Sequence, residues 1–124
     1  MIQAVVSIAR MHHIRSRAKF RRLQHCAETA PVSGIAKSGK PGVLVFHGTN
    51  DAVATFLAGV RSLRYLDFHH VATRPFDSTQ PPLSTKPGFQ EVTDTKKVME
   101  ALEAIGLKDW FRSEMGLGRR KPDP

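Results

Sequence analysis

Residues 43–48 read VLVFHG, and the stretch SGKPG stands immediately before them at 38–42. Four apolar residues in succession, with no polar alternation, describe a strand that is central in a sheet or covered on both sides. In SGKPG, Gly39 and Gly42 tolerate positive φ and Pro41 fixes its own, so the segment reads as a tight turn. Val32–Ala36 then forms the other arm of a hairpin. Downstream, Asn50 or Asp51 can cap a helix. In that helix Val53, Phe56, Leu57, Val60 and Leu63 fall at i, i+3, i+4, i+7 and i+10, which makes one apolar stripe.

The flanks repeat the alternation of strand and helix. Ile2–Ile14 begins with QAVVSIA, rich in β-branched and small residues, and reads as a strand. Ser16 to Thr29 reads as a helix with Phe20, Leu23 and Ala27 inside, ended by Pro31. Leu66 to Phe76 returns to extended structure. Residues 77–88, DSTQPPLSTKPG, read as a mobile loop. Gly88–Val92 forms a short strand. Thr93 or Asp94 caps a helix that runs through Ile105 and stops at Gly106. Leu107–Met115 is a last short helix. The expectation is α+β: a ferredoxin-like βαββαβ two-layer sandwich, with a four-stranded sheet, helices on one face, and extra C-terminal helices. One domain spans 1–116, and 117–124 is a flexible polar tail. The first strand, VLVFHG and the strand after the second helix should be neighbours.

The chain has 124 residues, 19 of them Lys or Arg against 11 Asp or Glu, for a formal net charge of +8. That length suits one core. No apolar run approaches the ~18 residues of a membrane span. One cysteine, Cys26, excludes an internal disulfide framework. The start, MIQAVVSIAR, has no basic residue before its apolar stretch and makes a poor signal peptide. An intracellular protein, nuclear or cytoplasmic, is expected.

The excess charge is concentrated. Residues 1–40 carry eight basic residues and a single acid, Glu28, whereas residues 41–124 carry eleven basic and ten acidic residues. Arg15, Arg17, Lys19, Arg21 and Arg22 fall on or just before the first helix, and Lys37 and Lys40 extend the patch. Such a cluster attracts polyanions, although a helix can also solvate its outer face with Arg and Lys.

Other constellations carry less. His12, His13, His47, His69 and His70 fall at or near the ends of adjacent strands, where converging imidazoles would suit zinc or acid–base work. Neither HH pair has a ligand spacing that encodes a metal site, so packing and hydrogen bonding are the preferred roles. SGKPG lacks the GxxxxGK[ST] spacing of a phosphate-binding P-loop. Cys26 reads as a buried structural thiol. Ser7, Ser16 and Ser33 have no nucleophile elbow around them. Trp110, Phe111 and Phe46 read as core anchors, and the aromatic run of RNA-binding sheets is absent. No catalytic residue, cofactor or metal is assigned.

Several segments together resemble one family. They are RMHHI (10–14), the basic helix, G-x-x-x-x-G-K-P-G-V-x-V-x-x-G from Gly34 to Gly48, FLAGVRSLRYLDF (56–68), and the C-terminal EVTDT and GLKDWF. They look like the C-terminal domain of the spliceosomal pre-mRNA-processing factor three, which also ends RWD-domain proteins of unknown function. The resemblance covers about residues 10–116 and is nearer the RWD-linked branch. It implies a ferredoxin-like domain, and in the splicing branch the binding of a small nuclear RNA duplex and its single-stranded extension. The family often has Ser before the HH pair and Glu where His47 stands; Met11 and His47 replace them here. No RWD-like segment precedes residue 10, which implies a domain cut from a longer protein or a shortened gene model.

The expected function is a non-catalytic nucleic-acid-binding module, with RNA as the ligand. Arg15, Arg17, Lys19, Arg21, Arg22, Lys37 and Lys40 would meet phosphates, and His12 or His13 a sugar or base edge. The alternative is a protein-interaction module whose basic helix meets an acidic partner. A weaker alternative is a metal-dependent enzyme built on the strand histidines.

Overall fold

The computed structural model describes residues 4–76 and 86–116. Its elements are β1 (Ala4–Met11), α1 (Arg17–Thr29), β2 (Ser33–Lys37), β3 (Gly42–Thr49), α2 (Asn50–Ser62), β4 (His69–Pro75), β5 (Gly88–Val92), α3 (Thr95–Ala104) and α4 (Lys108–Met115). The fold is mixed α+β, with an open five-stranded sheet in the order β4-β1-β3-β2-β5. β1 lies between β3 and β4, antiparallel to both, and β2 is antiparallel to β3. β5, expected as a short strand but not as part of the four-stranded sheet, joins that sheet as a fifth strand parallel to β2.

Both faces of the sheet are covered. On β1, Val5, Ala9 and Met11 face one side and Val6 and Ile8 the other, as the two-residue strand period requires. On β3, Leu44 and Phe46 join the first set, and Val43 and Val45 the second. The first side packs against Leu23 and Ala27 of α1 and Val53, Phe56, Leu57 and Val60 of α2. Phe46 and Phe56 meet there with ring centroids 4.7 Å apart, and Phe89 of β5 closes on both edge to face. The second side packs against Val98 and Leu102 of α3, Phe111 of α4, and Ile105 and Leu107 between them. Helices on one face were expected. The unbroken VLVF run explains the difference, because a strand apolar on both sides needs cover on both.

Local signals set the element ends. Ser16 caps α1 by accepting the Lys19 N–H, and Asp94 caps α3 by accepting the Lys97 N–H. Thr49, rather than Asn50 or Asp51, caps α2: its hydroxyl accepts the Ala52 N–H at 3.0 Å. The extended stretch expected from Leu66 is shorter. Arg64 takes φ of 60°, the Phe68 N–H turns back to the Tyr65 carbonyl, and β4 begins only at His69. At Gly34 a Cβ would overlap the Val45 carbonyl oxygen, so β2 and β3 approach as they do only because that residue has no side chain.

The loop expected at 77–88 lies, for 77–85, outside the described residues, and so does the tail 117–124. No described helix is long and apolar enough to cross a membrane.

Candidate nucleic-acid interface

Successive helical residues step by 100°, so residues two apart point nearly opposite ways. This separates two members of the basic cluster. Arg17 reaches across to β5, donating from its two terminal guanidinium nitrogens to the Glu91 carboxylate at 2.8 and 3.0 Å. That pairing holds the Glu91 carboxyl below its usual range. Lys19 leaves the opposite flank of α1. Its Nζ donates to the His13 carbonyl at 3.0 Å and to Asp67 Oδ2 at 3.4 Å, and it lies 5.0 Å from the centre of the Tyr65 ring. Two buried atoms in this region, His13 Nδ1 and Tyr65 Oη, have no hydrogen-bond partner among the described residues.

Lys37, expected in the charged patch, is only 6% exposed. β2 carries it beneath the β2–β3 turn, where its ammonium donates to the carbonyls of Ser38 and Pro41 at 3.2 and 3.0 Å. It holds the turn together from inside. Arg15, Arg21, Arg22 and Lys40 stay exposed, and none has an acidic partner among the described residues. Arg21 and Arg22 flank a shallow groove of about 380 Å³ between α1 and α2, which His25, Cys26 and Leu63 also line. Partial burial pushes the Cys26 thiol up, which keeps it protonated and unreactive near neutral pH.

A second concavity, of about 370 Å³, opens at the end of the sheet where β1 finishes. Three separate segments build it. β1 and the residue after it supply Arg10 and His12, the β2–β3 turn supplies Lys40 and Pro41, and the approach to β4 supplies Asp67 and His69. Arg10 and His69 are directly opposite in the β1–β4 register, so their Cβ atoms stand about 5 Å apart on one face. Arg10 has no acidic partner among the described residues. The single acid, Asp67, is already engaged: its Oδ2 accepts the His12 backbone N–H at 3.1 Å as well as the Lys19 ammonium. Partial burial pushes Asp67 up, but Lys19 and the backbone N–H groups of Asp67 itself and of His12 outweigh it and hold the carboxyl below its usual range.

Of the nine residues predicted to bind, His12 and Lys40 meet in this pocket, and Arg15, Arg21 and Arg22 stay exposed on or just before α1. Arg17 and Lys19 are ion-paired, and Lys37 is buried. His13 stacks edge-on against His12, with ring centroids 5.3 Å apart. Arg10 was not singled out in the sequence as a binding residue, and His69 was weighed there only with the histidines for zinc or acid–base work. Only strand pairing brings them together.

The five strand histidines do not converge. His47 is opposite Val6, four residues along β1 from the Arg10–His69 pair, a span of roughly 13 Å. It stacks on Phe76 with centroids 4.9 Å apart, and burial lowers its pKa. His70 turns to the other face from His69 and joins a hydroxyl chain, His70 Nε2 to Thr73 Oγ1 at 2.7 Å and Thr73 Oγ1 to Ser7 Oγ at 2.6 Å. Among the described residues no group of three or more His, Cys, Asp or Glu side chains could hold a metal ion. No protein-family model matches the chain, and a search of curated proteins finds no match to it either.

Proposed function

We propose that this protein is a non-catalytic nucleic-acid-binding module whose ligand is single-stranded RNA, held along the outer side of α1. One observation carries the reading: among the described residues Arg15, Arg21 and Arg22 are exposed and have no acidic partner, on one stretch whose only acid is Glu28. Cations that repel one another and satisfy nothing inside the fold are what a phosphate backbone requires. The antiparallel order β4-β1-β3-β2, with α1 and α2 on one face, supports a ferredoxin-like reading of the core, with β5, α3 and α4 as additions. The same elements carry the proposed kinship with the C-terminal domain of the splicing factor and of RWD-linked proteins. α3 and α4 occupy much of the sheet face that other small sheets offer to bases, which leaves α1 and the ends of the sheet as the accessible surfaces.

The test is an anisotropy titration of a labelled single-stranded RNA at several salt concentrations. Affinity should fall steeply as salt rises, because each neutralised phosphate releases condensed counterions. Absence of binding at low salt, or binding indifferent to salt, would overturn the reading. A nuclease-resistant complex with an acidic protein would then favour the interaction-module alternative.

A further inference from the structure

The pocket at the end of β1 combines features that α1 does not. It is concave, it draws on three chain segments, and its donors differ in kind. Arg10 presents a planar fork able to meet two oxygens of one phosphate, Lys40 adds a point charge, and His12 and His69 add imidazole groups. Its volume of about 370 Å³ lies at the small end of ligand sites, the scale of one nucleotide rather than of a duplex. The one acid in the wall does not cancel these cations, because Asp67 is already matched by the His12 N–H and the Lys19 ammonium. Two unpaired cations at the mouth of one cavity repel each other, a cost that a dianionic group would remove. A terminal phosphate carries close to two negative charges near neutral pH, whereas an internal phosphodiester carries one.

We infer that this pocket is a binding site for a phosphomonoester group, with Arg10 and Lys40 taking its charge and His12 and His69 its oxygens. Lys19 belongs to the first turn of α1 and is bonded to the pocket wall through Asp67, so the cavity adjoins the start of α1. Resting on the reading of α1 as the track for a strand, the phosphomonoester is the phosphorylated end of that strand. A free nucleoside monophosphate offers the same chemistry.

The experiment compares one short RNA bearing a 5′-phosphate, a 3′-phosphate or hydroxyls at both ends, with adenosine 5′-monophosphate as a separate ligand. It is run on the full chain and on two double variants that each remove two positive charges, Arg10→Gln with Lys40→Gln, and Arg21→Gln with Arg22→Gln. One phosphorylated end should bind about tenfold more tightly than the hydroxyl-ended RNA. The Arg10/Lys40 variant should bring that ratio close to one. The Arg21/Arg22 variant should weaken all three RNAs together and keep the ratio. Circular dichroism of both variants checks that each remains folded. Discrimination lost equally in the two variants would reduce the effect to net charge and overturn the inference. Tight hydroxyl-ended binding, with no preference between ends and no binding of the monophosphate, would overturn the pocket and leave the α1 reading standing. Binding of the monophosphate that needs Arg10 and Lys40, with no RNA bound at all, would overturn the α1 reading and assign the pocket to a free nucleotide. No binding of any of these ligands would overturn both.

Discussion

Lys37 and His47 show how single side chains in this sheet carry polar chemistry into apolar surroundings. The Lys37 ammonium donates to two carbonyls of the turn it lies under, so Lys37→Met would leave the Ser38 and Pro41 carbonyls without that donor. The expected cost is about 1–3 kcal/mol of stability, measured by urea denaturation. The RNA affinity of the folded fraction should not change, because the ammonium faces the protein. His47 makes a pH prediction. Burial sets its folded pKa below 6.5, so above pH 6.5 both the folded and the unfolded imidazole are neutral and its contribution is intact. As pH falls below 6.5 the unfolded chain takes up the proton first, and stability is lost progressively as pH falls through the folded pKa. Denaturation midpoints of His47→Leu between pH 7 and 5 should decline less than those of the unmodified protein. A residual slope belongs to His70, whose pKa is lowered too, first by burial and then by Arg61. A charge is visible in a sequence and its burial is not, which is why Lys37 reads as part of a solvated patch until β2 is placed.

At the scale of elements, apolar periodicity was legible and so was part of the pairing, since β1 lies between β3 and β4 and β2 pairs with β3 as expected. VLVF reads as a two-faced strand and becomes β3, and the stripe from Val53 to Val60 becomes the buried side of α2. What covers the second face of β3 was not legible, because α3 and α4 are amphipathic helices whose pattern shows an apolar side and not the surface it meets. Nor was the place of β5, since a parallel neighbour reached by a long connection leaves no hairpin turn in the sequence. The covering role has a measurable weight. Phe111 is 1% exposed and belongs to the cluster that α3 and α4 build on the sheet, so Phe111→Ala should cost about 3–5 kcal/mol in chemical denaturation. Gly34→Ala should be worse than an ordinary helix or strand substitution, because the new methyl group meets the β3 backbone and neither strand can move aside without breaking the ladder. Loss of the cooperative transition in circular dichroism is the expected result. Leu66→Ala, at a side chain 97% exposed, should stay within about 0.5 kcal/mol of the unmodified protein.

Across the first forty residues, which hold most of the excess charge, Lys37 faces inward, Arg17 and Lys19 are paired, and Arg10, Arg15, Arg21, Arg22 and Lys40 remain exposed around α1 and the end of the sheet. That remainder sets the expected salt dependence. Replacing both Arg21 and Arg22 with Gln should lower the slope of log affinity against log salt by about one to two. The basic helix was legible in the sequence, and the pocket was not: Arg10 and His69 belong to segments that only the β1–β4 register joins. Asp67 ties those segments into one unit. Its carboxylate holds the amide hydrogen of His12 and the ammonium at the first turn of α1, so the end of β1, the start of α1 and the approach to β4 share a single fastening. The exchange of that one amide hydrogen with deuterium is therefore a clock for the hold of Asp67 on this corner. It ticks when Asp67 releases the end of β1, it should run faster in Asp67→Asn, and it should slow when a phosphate fills the pocket.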